Sequence, residues 1–216
     1  MTAAPKNIFV ICAHSDDQIL GCGGSIIKYA KQGHTIITVI FSYGELTHMW
    51  LKPKEVIKTR IHESLKVDTV IGGKGVYFFG MKEGHFHKEF SRKKARELTK
   101  LFRRYPPAKI FTHSTDDTHP DHIATAQLVL DYCNKKRVKA SVFGFDVWKL
   151  INIKHRNHVL LVEDITDTFL EKLKAIQCFK SQLFIIYVLF MRVFVMTLLA
   201  GMKYGFRHAE TFYKMR

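Results

Sequence analysis

The chain has 216 residues, enough for one sizeable α/β domain and too few for two comfortable ones. Its apolar fraction of 47% and charged fraction of 25% are those of a globular protein, so they argue against an intrinsically disordered chain. A formal charge of +15 favours anionic partners: phosphate-bearing substrates, nucleic acid or a membrane surface. The four cysteines form no CxxC pair, which excludes a zinc ribbon and a thioredoxin-like motif. The N-terminus has no signal-peptide pattern, so we expect a cytoplasmic location.

Strand-like and helix-like segments alternate along the chain. Apolar or β-branched runs predict strands, and apolar positions at helical spacing predict helices. In chain order the predictions are a strand at Asn7–Ala13, a helix at Gly21–Gly33, a strand at His34–Ser42, a helix at Lys54–Val67, a strand at Gly75–Phe79, a helix at Ser91–Tyr105, a strand at Lys109–His113, a helix at Pro120–Asn134, strands at Ala140–Val147 and His158–Val162, and a helix from about Thr166 to Ser181. This alternation predicts a single Rossmann-like α/β domain, residues 1–216, with a mostly parallel sheet flanked by helices on both faces.

The last part of the chain has a different character. Residues from Leu183 to Met202 are almost wholly apolar apart from Arg192, and we predict an apolar, helical C-terminal segment over 183–216. The apolar run approaches the length of a bilayer span, although a central arginine would be costly there. A buried or interface-forming helix pair is the preferred interpretation, and a membrane-surface or spanning role is the alternative. Association through this segment would produce a homo-oligomer.

Two polar clusters come directly after predicted strands. The sequence HSDDQ (14–18) follows the first strand, and DTHPDH (117–122) follows the fourth. Active sites of open parallel sheets lie beyond the carboxyl ends of the strands, so both clusters are expected at that edge. Each cluster places candidate zinc ligands three residues apart, on one face of a helix's first turn. An open site of imidazole and carboxylate ligands suits a catalytic zinc, and a neighbouring carboxylate can accept a proton from water.

Each cluster taken alone has an ordinary structural explanation. Asp16 and Asp17 alone are typical of a solvated turn or a helix cap, and His119 with His122 could simply cap and pack a helix start. Their joint placement at two strand ends is much harder to ascribe to chance. The residues therefore predict a metal-dependent hydrolase.

The residues around the clusters resemble a known family. AHSDDQILGCGG, beginning at Ala13, and DTHPDH resemble the motifs AHPDDE and HPDH of the LmbE-like (PIG-L) family of zinc-dependent N-acetylglucosaminyl deacetylases. The similarity continues in SYGE (42–45), RIHE (60–63) and RHAETF (207–212), and so covers nearly the whole chain. Ser15 and Gln18 stand where the family has proline and glutamate. Neither departure touches a residue expected to bind metal or act as base.

The resemblance implies an LmbE-like fold and a role for each matched residue. The zinc ligands would be His14, Asp17 and His122, and Asp16 would be the general base that accepts a proton from the attacking water. His119 would stabilise the oxyanion, and Asp121 would orient His119. The expected substrate-binding residues are Arg60, Glu45 and His113, of which Arg60 would contact the sugar and His113 would line the pocket. For Arg60 a solvated helix charge is the alternative.

The implied reaction is removal of an N-acetyl group from an N-acetylglucosaminyl-type amino-sugar conjugate by hydrolysis of its linear amide bond. The expected cofactor is Zn²⁺, although His and Asp ligands also accept Fe²⁺ or Co²⁺. The basic surface and the apolar C-terminal segment are compatible with a phosphate- or lipid-linked substrate and with peripheral membrane association.

Two other classes of protein fit part of the sequence. Basic residues concentrate in Lys88–Arg104 and Lys135–Lys139, as in a nucleic-acid or anionic-surface binding protein, but no recognised nucleic-acid motif accompanies them. Nucleic acid is therefore not an expected partner. The sequence GCGG after the first strand suggests a nucleotide-binding Rossmann protein, although the GxGxxG fingerprint is incomplete.

Overall fold

The structure is a computed structural model that describes residues 4–45, 52–148 and 160–216. For residues 183–188 the description covers the backbone alone. The strands of the described chain are β1 (Asn7–Cys12), β2 (Thr35–Ile40), β3 (Gly75–Phe78), β4 (Pro107–His113), β5 (Ser141–Phe145), β6 (Leu160–Asp164) and β7 (Ala209–Lys214). The α-helices of the same ranges are α1 (Asp17–Lys31), α2 (Pro53–Ile71), α3 (Phe86–Glu89), α4 (Arg92–Arg104), α5 (Pro120–Lys135), α6 (Phe169–Ile176) and α7 (Leu183–Tyr204).

The strands form one sheet in the order β3-β2-β1-β4-β5-β7-β6. The pairs from β3 to β5 are parallel, and β7 runs antiparallel to both of its neighbours. The chain leaves β1 towards β2 on one side and later returns to place β4 on the other side. Such a switch point opens a crevice at the carboxyl ends of β1 and β4, which is where ligands bind in doubly wound sheets.

Alternate residues of the central strands supply two cores, one on each face of the sheet. Ile8 and Val10 of β1 pack in a core with α1, α2, α6 and α7, whereas Phe9 and Ile11 pack in a core with α3, α4 and α5. This explains why β1 is almost continuously apolar, since both of its faces are covered by helices. The predicted single α/β domain, with a mostly parallel sheet between helices, is confirmed.

The prediction for the C-terminal segment is wrong in two respects. The apolar run forms one continuous helix, α7, which ends at Gly205 (φ 78°), and not a pair of helices. Residues after it are not helical, because Ala209–Lys214 forms β7 between β5 and β6. A six-residue strand whose partners lie far away in the chain leaves only a weak local pattern, so its pairing is visible only in the folded sheet.

Other boundaries differ by smaller amounts. The predicted strand His158–Val162 begins outside the described residues, and its described part belongs to β6. The predicted helix from Thr166 is divided into a 3₁₀ turn at 166–168, α6, and a second 3₁₀ turn at 180–182. Over the described part of the chain, none of the helices combines the length and the apolar character that a bilayer crossing demands.

Candidate active site

Two loops at the carboxyl edge of the sheet bring the predicted metal ligands together. His14, Asp17 and His122 offer ligand atoms that all lie within 4.8 Å of one another. Nε2 of His122 is 3.3 Å from Oδ1 of Asp17, and Nδ1 of His14 is 3.5 Å from Oδ2 of the same carboxylate. Two imidazoles and one carboxylate, converging and largely buried, are a donor set that suits a zinc-type ion.

Helix starts place these ligands. Asp17 is the first residue of α1, directly after β1, and its carboxylate accepts the backbone N–H of His14 at 2.7 Å. His122 lies in the first turn of α5, which has Pro120 near its N-terminus and His119 as its cap. Nδ1 of His119 accepts the backbone N–H of Asp121 at 3.2 Å. Proline and a side-chain acceptor at this position are typical of a helix N-terminus, so the ligands are placed by ordinary helix-capping rules.

The charges around the site favour a cation between the ligands. Burial by itself would lower the pKa of His14, but hydrogen bonds to Asp121 and Asp17 raise that pKa to about 10. Burial likewise opposes a charge on His122, yet Asp17 and Asp117 raise its pKa to about 9. An environment that attracts protons to both imidazoles also suits a divalent ion in the same place.

A second group of three side chains lies behind the first. His113, Asp117 and His122 also have ligand atoms within 4.8 Å of one another. His113, however, is completely buried, stacks on His122 with ring centroids 3.8 Å apart, and accepts the backbone N–H of Ala13 at Nε2. This group does not open to the cavity, so it supports the first one and does not compete with it. The predicted contact between His113 and substrate does not fit this position.

A cavity of about 510 Å³ opens beside the first group. Its wall is formed by His14, Asp16, Asp17, Leu20, Arg60, Glu83, Gly84, His119, Pro120, Asp121, Trp148, Gln182 and Leu189. The wall contains both polar and apolar side chains. The predicted base Asp16 and the predicted oxyanion-stabilising His119 therefore share a cavity with two of the predicted metal ligands, His14 and Asp17.

Asp16 and Arg60 are neighbours in this wall. Nη1 of Arg60 is 3.9 Å from Oδ1 of Asp16, and both side chains are buried. Burial raises the pKa of Asp16, while the charge of Arg60 opposes that rise. Arg60 also packs against Gly44 (φ 72°), where a Cβ would lie 2.8 Å from the guanidinium carbon. A carboxylate with a raised pKa beside the metal ligands is suited to accept a proton. The alternative of a solvated helix charge does not hold for Arg60.

Asp121 and Glu45 lie elsewhere than expected. The carboxylate of Asp121 is 3.4 Å from Nε2 of His14 and accepts the backbone N–H of Gly84 at 2.9 Å. Only its backbone N–H reaches His119, so its carboxylate orients His14 in place of the predicted contact. Glu45 accepts a hydrogen bond from the hydroxyl of Ser42 at 3.2 Å and is not among the residues of the cavity wall. Its contact with a sugar stays a prediction.

Sequence reasoning missed three side chains of the site. Oε1 of Glu83, after β3, is 3.4 Å from Nε2 of His14, and Trp148, after β5, lines the cavity. Asp117, part of the second motif, contacts His122. The rule that active sites follow strand ends applies to the loops after β3 and β5 too, and could have indicated Glu83 and Trp148.

The comparison with known families agrees with this geometry. Residues 9–133 match the family PIG-L, described as GlcNAc-PI de-N-acetylase. The chain belongs to the PIG-L family. Members of PIG-L are deacetylases or related hydrolases, and the family is metal-dependent. The matched range contains His14, Asp17 and His122 together with Asp16.

Individual relatives of this PIG-L protein catalyse more than one reaction. A curated relative, 4-oxalmesaconate hydratase of Pseudomonas putida, is 27% identical over 201 residues, which cover 84% of this chain and 76% of the relative. The structure of N,N'-diacetylchitobiose deacetylase from Pyrococcus horikoshii matches with a TM-score of 0.78 at 23% identity, over 98% of this chain and 84% of that one. The 4-carboxy-2-hydroxymuconate hydratase GalB from Pseudomonas putida matches with a TM-score of 0.80 at 23% identity, over 98% of this chain and 96% of that one. The structural matches show the shared fold.

Proposed function

We propose that this PIG-L protein removes the N-acetyl group from an N-acetylglucosaminyl-type amino-sugar conjugate by hydrolysis. The observation that carries the proposal is the convergence of His14, Asp17 and His122, with ligand atoms within 4.8 Å, beside a cavity that is lined by His14, Asp16 and Asp17. Membership of PIG-L and the deacetylases among its structural neighbours support an amide as the bond that is broken.

Zn²⁺ is the proposed cofactor, with Fe²⁺ and Co²⁺ as alternatives for the same donor set. His14, Asp17 and His122 would hold the ion, which when bound polarises the amide carbonyl and lowers the pKa of water. Asp121, 3.4 Å from Nε2 of His14, and Asp117, 3.3 Å from Nδ1 of His122, keep the two imidazoles in place.

The other residues of the wall handle protons and charge. Asp16 accepts the proton of the attacking water, and its raised pKa makes it a better acceptor. His119 donates to the oxygen that becomes negatively charged as the carbonyl carbon is attacked. Asp16 then gives the proton that it took from water to the nitrogen, and breaking of the C–N bond releases acetate and the free amine. Arg60 holds Asp16 and contacts the sugar.

The direct test is a screen for acetate release. Purified protein loaded with Zn²⁺ is incubated with a panel of N-acetylglucosamine conjugates, and acetate, free amine and bound metal are measured in the same samples. We expect equal amounts of acetate and amine with at least one conjugate, and neither product after the metal is removed by a chelator. Metal-loaded protein that releases acetate from none of the conjugates would argue against the proposal.

A hydratase is the second candidate, because the curated relative at 27% identity is 4-oxalmesaconate hydratase. The same carboxylate and metal ligands can activate water for addition to a carbon–carbon double bond next to a carbonyl group. Loss of the ultraviolet absorbance of a conjugated unsaturated acid, without release of acetate from any conjugate, would favour this activity over deacetylation.

We also propose a phosphate- or lipid-linked conjugate and peripheral association with an anionic membrane. The exposed apolar residues of α7, which include Met191, Val195, Leu199 and Met202, and the charge of +15 support this association. Flotation with anionic liposomes tests it, and protein that stays in the aqueous fraction contradicts it. Concentration-dependent light scattering tests the alternative use of α7 in a homo-oligomer.

A further inference from the structure

Helix α1 is interrupted shortly after the residues that serve the active site. Cys22 has φ −140° and ψ 19°, which separates a first turn that carries Asp17 from a second section that begins at Gly23. In an uninterrupted helix the N–H of Gly24 would bond to the carbonyl of Leu20. Both residues are buried, so these two backbone groups need partners inside the protein.

A buried ion pair is bonded to both of these backbone groups. Nζ of Lys172, from α6, donates to the carbonyl oxygen of Leu20 at 3.0 Å. Oε1 of Glu210, from β7, accepts the N–H of Gly24 at 3.0 Å. Nζ of Lys172 lies 2.6 Å from the same carboxylate oxygen. The ion pair thus bridges the acceptor and the donor that a straight helix would join to each other.

The carboxylate of Glu210 also serves the second section of α1. Its Oε2 accepts both the N–H and the hydroxyl of Ser25, at 2.8 Å and 2.6 Å. A carboxylate that accepts successive N–H groups at the start of a helical section acts as a cap and complements the helix dipole. Lys172 and Glu210 are 1% and 4% exposed, so solvent does not weaken these contacts.

Gly23 and Gly24 lie where neighbouring side chains come very close to the backbone of α1. A Cβ at Gly24 would lie 2.7 Å from Cδ1 of Ile165, and one at Gly23 would lie 3.2 Å from Cγ of Lys172. The segment GCGG therefore has a packing reason that is unrelated to nucleotide binding. It allows Ile165 and the α6 residue Lys172 to approach the backbone of α1 at the interruption.

We propose that Lys172 and Glu210 are positioning residues that set the direction of the first turn of α1, and thereby the places of Asp16 and Asp17. The inference rests on the proposed function for the identity of the site. The first turn is held at one end by the bond from His14 to Asp17 and at the other by Lys172. Without the ion pair, the N–H of Gly24 can bond to the carbonyl of Leu20. The helix then straightens and turns Asp17 away from the two imidazoles.

The experiment compares Co²⁺ binding by the native protein and by the double variant Lys172→Met/Glu210→Gln. The double variant removes both charges at similar volume, because a single unpaired buried charge could prevent folding. We expect a folded protein by circular dichroism, an altered visible spectrum of bound Co²⁺ and metal affinity weakened by about tenfold or more. A native spectrum and native affinity in the folded double variant would overturn the proposal.

A matched control lies on the same helix. Lys28, beyond the interruption, pairs with Glu163 of β6 at 2.9 Å, and Lys28→Met/Glu163→Gln should leave the Co²⁺ spectrum unchanged. If the double variant of Lys172 and Glu210 does not fold, Glu210→Asp alone gives the same comparison, since aspartate keeps the charge but is one methylene too short to reach the N–H of Gly24 in the same way. An unchanged spectrum in that variant also overturns the proposal. Because Co²⁺ binding is measured without any substrate, its outcome is independent of whether acetate release is found.

Discussion

The carboxylate of Asp117 lies 3.3 Å from Nδ1 of His122, while Nε2 of the same ring lies 3.3 Å from Asp17. Asp117 is itself fixed, because it accepts the backbone N–H groups of His119 at 3.1 Å and Val147 at 2.9 Å. Burial would raise the pKa of Asp117, but the hydrogen bond to His122 and these N–H groups lower it well below its usual value. A carboxylate with a lowered pKa therefore holds Nδ1 of His122 and directs Nε2 towards Asp17.

Replacing this carboxylate should weaken metal binding. We expect Asp117→Asn to lower the affinity for Zn²⁺ by about 10- to 100-fold, since the amide removes the charge that orients His122. Competition with a chelating dye measures the affinity. The neighbouring exposed residue offers a control, and Asp116→Asn should bind Zn²⁺ like the native protein. Equal affinities in the two variants would contradict the role of Asp117.

Replacing Asp16, the proposed base, should lower the rate of turnover sharply without loss of the metal. Asp16 lines the cavity but lies outside the group of converging ligand atoms, so Asp16→Asn should keep its Zn²⁺. We expect the rate of acetate release to fall by about 10²- to 10⁴-fold, because asparagine cannot accept the proton. Asp17→Asn provides the comparison, as it should lose the metal as well. A fully active Asp16→Asn protein would exclude Asp16 as the base.

A buried carboxylate away from the site should make stability depend on pH. Burial raises the pKa of Asp68 to about 6 from an ordinary value of 3.8, and its Oδ1 makes no hydrogen bond within the described residues. The folded protein therefore binds more protons than the unfolded chain between these two values, and the free energy of unfolding falls as the pH rises through this window. Above a pH of about 6 the stabilising effect of protonated Asp68 is completely lost.

We therefore expect Asp68→Asn to be more stable than the native protein near neutral pH, with a difference that shrinks as the pH falls from about 6 to about 4. Urea unfolding at a series of pH values measures this difference. The exposed Asp131 supplies the control, because Asp131→Asn should leave the pH dependence unchanged. A stability difference for Asp68→Asn that is the same at every pH would refute the explanation.

The part of α1 that follows Asp17 should not accept a larger side chain at Gly21. A Cβ at Gly21 would lie 2.2 Å from Cδ2 of the buried Phe145 ring. We expect Gly21→Ala to lower the free energy of unfolding by about 1–3 kcal/mol, because the ring has no room to move. At Gly23 the nearest atom belongs to the long side chain of Lys172 at 3.2 Å, so Gly23→Ala should cost less. Urea unfolding of both variants decides, and equal stabilities would count against a clash at Phe145.

Short-range patterns were enough to predict most of the fold and the place of the two polar clusters. The run from Asn7 to Cys12 is apolar at nearly every position because β1 is covered on both faces, and that pattern is visible in any window of the sequence. His14 and Asp17 follow this strand immediately, and His122 lies in the first turn of α5. Strand ends and helix starts are local features, so both clusters could be placed at one edge of the sheet before any distance was known. The choice of His14, Asp17 and His122 as ligands came from the resemblance to the PIG-L family.

The tertiary structure alone decided which side chains face one another. The carboxylate of Asp121 meets His14, whereas the backbone N–H of Asp121 bonds to Nδ1 of His119 in the cap of α5. Glu210 reaches Gly24 across 186 residues of sequence, through a strand whose pairing no local pattern revealed. Such contacts depend on how distant segments pack and on which rotamers that packing leaves. The sequence by itself placed the two clusters that contain His14, Asp17 and His122, whereas the contacts that orient these side chains required the folded chain.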